Sequence, residues 1–331
     1  MTSQAQATAG IRTNGRVSGS LAWMLGGAVL IALVFVGLDL LAIEYVYLAA
    51  YSVLQYVVIA TAWNVLGGYA GYINFGAAAF FALGTYTTVF IHQAFELDLL
   101  ASIPASAVIA GLVGLATGYL TLRLRGVFFS IATLALAVVL QALVVNWTYV
   151  GGSRGVYVLR PESVPFFSSY AQFLFAVMLA LAIGSVLIAR AIERSWLGQG
   201  FGAIREDETA AECCGVPTLR LKLIATMISG ALMGVAGAPF PYFVTYVDPN
   251  SAFNLSISVN SVAMPLIGGT VSWVGPVIGA ILLGSVQQII TVTISSQLNL
   301  MIVGVLLVVF VAAAPNGIIG VFSALKNRNS T

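Results

Sequence analysis

Charged residues are scarce in this sequence. Only 7% of its 331 residues are Asp, Glu, Lys or Arg, whereas a soluble domain carries about 25%. Because so few charges cannot cover a globular surface that faces water, the composition excludes a soluble enzyme. The formal net charge of +2 is too small to indicate binding to nucleic acid.

Several chemical groups that carry function elsewhere are also missing or rare. No G-x-x-x-x-G-K-S/T phosphate loop occurs, so this chain does not hydrolyse ATP by that route. The adjacent Cys213 and Cys214 lack metal-ligand spacing and a third partner, which favours free side chains. No predicted span carries a carboxylate near its middle, so a proton or sodium relay is not expected. The sequence predicts neither a catalytic residue nor a metal site.

Long apolar runs fill most of the chain, which is 60% hydrophobic with a mean hydropathy of +1.01. A helix of about 20 apolar residues crosses roughly 30 Å of hydrocarbon, and we predict an all-α polytopic membrane protein with some short or broken helices. We expect a disordered cytoplasmic N-terminus (1–20), a transmembrane domain (21–314) and a cytoplasmic tail (315–331). The ten predicted spans are 21–38, 45–66, 73–92, 100–120, 127–147, 166–189, 223–246, 253–268, 274–294 and 298–314.

The basic residues predict the orientation of these spans. With the N-terminus in the cytoplasm, eleven of the thirteen Lys and Arg residues fall in cytoplasmic segments, and only Arg154 and Arg160 fall outside. Both termini are therefore predicted to be cytoplasmic. A re-entrant geometry for 253–268 stays open, because Asn, Ser and Pro residues make this stretch polar and broken.

Small residues and neutral amides stand out within the spans. Gly114 with Gly118, Gly230 with Gly234, and Gly275 with Gly279 predict close helix packing. Polar side chains in spans line a path for a polar solute or join neighbouring helices, and both interpretations stay open. The candidate path residues are Asn64, Asn74, Gln141, Asn146 and Asn260.

The long hydrophilic segment at about 190–222 is predicted to be cytoplasmic. Residues 205–217 predict a short helix with acidic residues in its first turn, followed by a glycine stop and a proline. Such a helix is either a binding site for another protein or a solvent-exposed loop helix. It resembles the EAA-type coupling loop of ABC importer permeases, in which small residues dock the permease to its ATPase. The residues that this resemblance assigns to coupling are Arg205, Glu206, Asp207, Glu208, Ala210, Ala211 and Gly215.

Further segments occur in the order typical of one family. Over about 45–315 the chain resembles LivM-type permease subunits of branched-chain amino acid ABC importers, a family that also includes urea and amide permeases. It departs from the family at Ala77, where His is common, and at Cys213-Cys214, where an Ala-Leu pair is common. The matching segments are 68–76 with 79–81, 122–129, 204–215, 266–269 and 275–279.

The resemblance implies an ABC importer permease fold in the bacterial inner membrane. It implies a small polar solute as cargo: a branched-chain or other hydrophobic amino acid, or alternatively urea, a short amide or another small organic solute. The implied partners are a homologous LivH-type permease, two cytoplasmic ATPases that bind ATP and Mg²⁺, a periplasmic binding protein and membrane lipid. No cofactor is expected in this chain. A passive channel or uniporter remains the alternative from another functional class.

Overall fold

The computed structural model describes residues 44–121, 126–160, 167 and 169–293, with isolated positions at 301, 304, 305, 308, 317, 318 and 320. The predicted N-terminus (1–20), the span at 21–38, the span at 298–314 and the tail at 315–331 lie outside the described residues, apart from those isolated positions. The chain divides into two units, 1–47 and 48–331.

The described part of the chain is almost entirely helical. One two-stranded antiparallel sheet pairs β1 (Val156–Tyr157) with β2 (Tyr246–Val247), and Val156 lies opposite Val247. The α helices are α1 (Glu44–Asn64), α2 (Ala77–Phe95), α3 (Leu99–Thr121), α4 (Val127–Val145), α5 (Tyr170–Arg194), α6 (Trp196–Glu206), α7 (Glu208–Cys213), α8 (Thr218–Gly237), α9 (Phe240–Val244), α10 (Pro249–Ala252), α11 (Leu255–Gly268) and α12 (Val274–Thr293). A π-helical turn (Val65–Tyr69) extends α1, and two 3-10 turns (Thr148–Val150 and Gly152–Arg154) follow α4.

Six helical stretches among the described residues are long and apolar enough to cross a membrane. They correspond to predicted spans, with boundaries shifted by a few residues. α11 has 14 residues and is therefore about 21 Å long, which is shorter than the hydrocarbon core of about 30 Å. α2, which lies on the predicted span 73–92, is not among the six stretches either, so the predicted count of ten crossings is not confirmed. The six stretches are Glu44–Tyr69, Leu99–Thr121, Val127–Val145, Tyr170–Arg194, Thr218–Val244 and Val274–Thr291.

The depth of α11 is fixed by its contact with α2. Ser258, in the first turn of α11, accepts a hydrogen bond from the backbone N–H of Ala78 through its hydroxyl oxygen at 3.0 Å. Ala78 is the second residue of α2. The two helices therefore begin close to the same level.

Glycines bring α8 into backbone contact with α2 and α3. A Cβ atom at Gly84 would lie 1.9 Å from the carbonyl oxygen of Gly234, and one at Gly114 would lie 2.8 Å from that of Thr226. Without a hydrophobic force between helices in lipid, close backbone approach supplies the packing energy. The predicted close packing at Gly114 and Gly234 is confirmed.

The α11–α12 hairpin is built in the same way. A Cβ atom at Gly279 would lie 1.9 Å from the carbonyl oxygen of Met264, and one at Gly275 would lie 1.7 Å from that of Gly269. A methyl group has no room at either position, so these helices meet backbone to backbone. The predicted packing role of Gly275 and Gly279 is confirmed.

The irregular segments collect at two ends of the helical bundle. One end, called the loop end here, holds residues 65–76, 195–217 and 269–273. The first of these segments contacts the second through Arg205 and Glu208, and it contacts the third at Gly68. The opposite end holds β1, β2 and the segment around Arg160, whose Nε donates to the carbonyl oxygen of Tyr242 at 2.7 Å. α1 and α5 therefore end at the loop end, and α2 and α8 begin there.

Candidate coupling site

The segment between α5 and α8 forms two helices, where the sequence predicted one over 205–217. Asp207 has an extended backbone (φ −157°, ψ 111°), and its side chain accepts hydrogen bonds from the N–H groups of Thr209 at 2.8 Å and Ala210 at 3.0 Å. These bonds satisfy donors that the first turn of a helix leaves free. Asp207 thus starts α7, and Arg205 and Glu206 end the preceding helix, which corrects the prediction.

Gly215 ends α7 as the sequence predicts. Its φ of +82° lies in the left-handed region, where a side chain is disfavoured. Its N–H donates to the carbonyl oxygen of Glu212 at 2.9 Å, and the next N–H, of Val216, donates to that of Ala211 at 3.0 Å. A Cβ atom at Gly215 would meet nothing within 4 Å. Backbone conformation, rather than lack of space, therefore requires glycine here.

One face of α7 is exposed and carries small side chains. Thr209, Ala210 and Cys213 are exposed, whereas Ala211 is buried against the rest of the chain. Cys214 is also exposed, and both cysteines are free thiols. We call Thr209, Ala210 and Cys213 the docking face. Because these side chains are short, another protein can approach the backbone of α7 closely on this face.

The other face of α7 is held by a buried ion pair. Lys222 Nζ of α8 lies 2.5 Å from Glu208 Oε1, and the two side chains are only 4% and 13% exposed. Tyr72 donates its hydroxyl to the second oxygen of the same carboxylate, and Lys222 Nζ lies 5.1 Å from the centre of the Tyr72 ring. Charges buried in this way are tolerated because they are paired and hydrogen-bonded.

Sequence reasoning missed Lys222 and Tyr72 as part of this site. Tyr72 lies in the glycine-rich motif 68–76, and Lys222 stands fourteen positions after its partner Glu208. No spacing rule joins these positions, because their contact depends on how α8 packs. The only available signal was that Lys222 is one of the two lysines in the chain.

Arg205 makes a second attachment to the same part of the chain. Its Nη1 donates to the carbonyl oxygen of Gly68 at 3.1 Å. A Cβ atom at Gly71, whose φ is +78°, would lie 3.2 Å from Cγ of Arg205. Residues 205–208 therefore hold the turn that follows α1 at two places, through Arg205 and through Glu208.

The five amides predicted to line a path do not come together. Asn64 and Asn74 are buried near the loop end, and Asn74 accepts from the N–H of Gly76 at 2.7 Å, which orders the start of α2. Asn260 of α11 is buried and accepts from Nε2 of Gln287 at 3.0 Å. The Asn260 contact joins α11 to α12, which fits the interpretation in which amides join neighbouring helices, whereas the Asn74 contact is local to its own segment.

Gln141 and Asn146 lie at the C-terminal end of α4. Gln141 donates to Oδ1 of Asn250 at 3.1 Å, and Asn146 is exposed and donates to the carbonyl oxygen of Ala142 in its own helix at 2.7 Å. Among the described residues, no group of three or more His, Cys, Asp or Glu side chains is placed to hold a metal ion.

Comparison with known proteins gives consistent matches. A family model described as "Branched-chain amino acid transport system / permease component" matches residues 45–311. The high-affinity branched-chain amino acid transport permease LivM of Escherichia coli K12 is 28% identical over 290 residues, which cover 80% of this chain and 67% of that protein.

More distant relatives extend these matches. A probable branched-chain amino acid transport permease, LivH of Methanocaldococcus jannaschii, is 26% identical over 280 residues, covering 78% of this chain and 86% of that protein. The L-arabinose ABC transporter permease AraH of Azospirillum brasilense is 26% identical over 110 residues, 32% of each chain. No solved structure matches the chain.

Proposed function

We propose, from the premise that this chain belongs to the branched-chain amino acid transport system permease family, that it is a membrane-spanning subunit of an ATP-driven importer. The chain is a multi-pass membrane protein. The observation that carries the proposal is the two-faced helix α7. Its outer face is small and exposed, and its inner face is tied to the membrane helices by a buried ion pair.

In this proposal α7 transmits the movement of the ATPases to the membrane helices. Two cytoplasmic ATPases bind ATP and Mg²⁺, and one of them receives the docking face. When the ATPases close on ATP, α7 moves as a rigid body, and its attachments through Glu208 and Arg205 pull on the turn after α1. ATP binding favours one of the two states because the ATPase contacts differ between them. The chain itself performs no covalent chemistry.

We assign a branched-chain or other hydrophobic amino acid as the cargo, because the family description and the LivM and LivH relatives name that substrate class. A periplasmic binding protein delivers the amino acid to a path between this subunit and a LivH-type partner permease. Urea or a short amide is the alternative cargo. A sugar is a further alternative, because the arabinose permease relative is named for one. The complex lies in the bacterial inner membrane with both termini in the cytoplasm.

Uptake into proteoliposomes tests the proposal. The complete complex is reconstituted with its binding protein, and uptake of labelled leucine, urea and arabinose is measured with and without ATP. We expect ATP-dependent uptake of leucine and none with an ATPase that cannot hydrolyse ATP. Uptake that persists without the ATPases would instead identify a passive channel. ATP-dependent uptake of urea or arabinose alone would keep the importer and change its cargo.

A further inference from the structure

Two turns at the loop end share one carboxylate. The first turn, residues 65–76, joins α1 to α2, and the second turn, residues 269–273, joins α11 to α12. Glu193, near the end of α5, accepts hydrogen bonds at Oε2 from the hydroxyl of Tyr69 at 3.3 Å and from the N–H of Trp273 at 2.7 Å. Tyr69 belongs to the first turn and Trp273 to the second. One side chain of a third helix therefore bridges both turns.

Other contacts hold the same two turns together. A Cβ atom at Gly68 would lie 2.7 Å from the carbonyl oxygen of Thr270, so the turns approach backbone to backbone. The guanidinium carbon of Arg190, one helical turn before Glu193, lies 5.6 Å from the centre of the Trp273 ring. The end of α5 thus contacts the second turn through both a hydrogen bond and a cation–π contact.

Local helix energetics do not explain a glutamate at position 193. The carboxyl end of a helix carries partial negative charge, so an acidic side chain in the last turn is disfavoured there. Glu193 is the penultimate residue of α5. Its hydrogen bonds to two separate turns supply the compensating interaction, and charged acceptors form the stronger hydrogen bonds.

We propose that Glu193 is a positioning residue that makes the two turns move as one body. This inference rests on the proposed function, in which α7 and Arg205 pull on the first turn. Glu193 passes that displacement to the second turn and so to α12. The motion imposed on α1 and α2 is thereby imposed on the α11–α12 hairpin as well.

A distance measurement tests the bridge directly. Ile73 of the first turn is 47% exposed and Val271 of the second is 69% exposed, so both accept a spin label. The labels are attached to Ile73→Cys and Val271→Cys in a background in which the native Cys213 and Cys214 are replaced by Ala and Leu. Pulsed electron paramagnetic resonance then gives the distance distribution in the complex without ATP and with ATP trapped.

We expect one narrow distance distribution whose mean is the same in both states. Removing the bridge with Glu193→Ala is expected to broaden the distribution without ATP and to make its mean differ between the states. Arg194→Ala is the matched control, because Arg194 is the exposed neighbour of Glu193 on the same helix. It should leave the distribution unchanged.

The second readout is the amount of solute moved per ATP hydrolysed. Because an energetic coupling between sites typically changes an equilibrium at least about fivefold, Glu193→Ala should lower this ratio by about that factor. ATPase recruitment should be retained. Tyr69→Phe removes one of the two bonds and should cause a smaller loss, with no further loss when it is combined with Glu193→Ala.

The inference is wrong if Glu193→Ala keeps both the narrow distribution and the ratio, or if the turns already separate in the unmodified complex. If the unmodified complex shows no ATP-driven uptake, the proposed function fails. In that case the distance distribution measured without ATP tests the inference by itself. A broad distribution in Glu193→Ala supports the bridge, and an unchanged one refutes it.

Discussion

Replacing Lys222 with Met would remove the cation from the buried ion pair between α7 and α8. The side chains are of similar length, so the main change is the loss of charge. Glu208 would keep the hydrogen bond from the hydroxyl of Tyr72 but lose the ammonium group 2.5 Å away. With its side chain 13% exposed, the carboxylate has little access to water.

The magnitude follows from which charge is left behind. Breaking a buried ion pair by removing one partner costs about 3–5 kcal/mol. We expect about 3 kcal/mol for Lys222→Met, because Tyr72 still donates to Glu208. Glu208→Leu leaves Lys222, at 4% exposure, without its carboxylate but still donating to the Tyr72 hydroxyl oxygen at 3.3 Å, so a similar loss of about 3–4 kcal/mol is expected. The double variant leaves no unpaired charge, and we expect a loss of only about 1–2 kcal/mol, because the Tyr72 hydroxyl loses its acceptor.

Unfolding in mixed detergent micelles, followed by tryptophan fluorescence, measures these free energies. The double-mutant cycle is the decisive quantity, because it separates the pair from each side chain's own packing. The reasoning is refuted if Lys222→Met costs less than about 1 kcal/mol, the value typical of an exposed pair. It is equally refuted if the losses of the two single variants add up in the double variant.

Three other predictions concern packing, coupling and topology. Gly84→Ala should lower the free energy of unfolding by about 1–3 kcal/mol through overpacking, whereas Gly184→Ala, at a site with nothing within 4 Å, should not lower it in the same detergent assay. Gly215→Arg should break the left-handed stop of α7 and reduce transport per ATP without altering the membrane helices, measured in proteoliposomes with circular dichroism as the control. Single cysteines introduced at positions 5 and 328 should resist membrane-impermeant maleimide in intact cells, and labelling of either one would contradict the predicted cytoplasmic termini.

The hydrophobic pattern predicted where most helices lie, because length and apolarity decide which segments fit a membrane. It failed where local backbone chemistry overrides that pattern. The helix predicted to begin at 73 begins at Ala77, since Gly71 takes a positive φ and Asn74 accepts from the N–H of Gly76. The helix predicted over 205–217 is divided because Asp207 caps a new helix.

The candidate site was predictable only where it is local in sequence. Gly215 was identified from the helix stop it makes, and Ala210 from its position in a short motif. Lys222, Tyr72 and Glu193 act through partners that are far away along the chain, so no spacing indicates them. The roles assigned to the coupling residues and to the amides remain predictions.

The exposed cysteine pair at the end of α7 can report whether another protein covers the docking face. Cys213 and Cys214 are the only thiols in the sequence, and both are exposed as free thiols. Any protein that covers the docking face must shield Cys213 from a soluble alkylating reagent. The alkylation rate of Cys213 in the unmodified protein therefore reports the fraction of molecules in which α7 is covered, and no engineered label is needed to follow assembly.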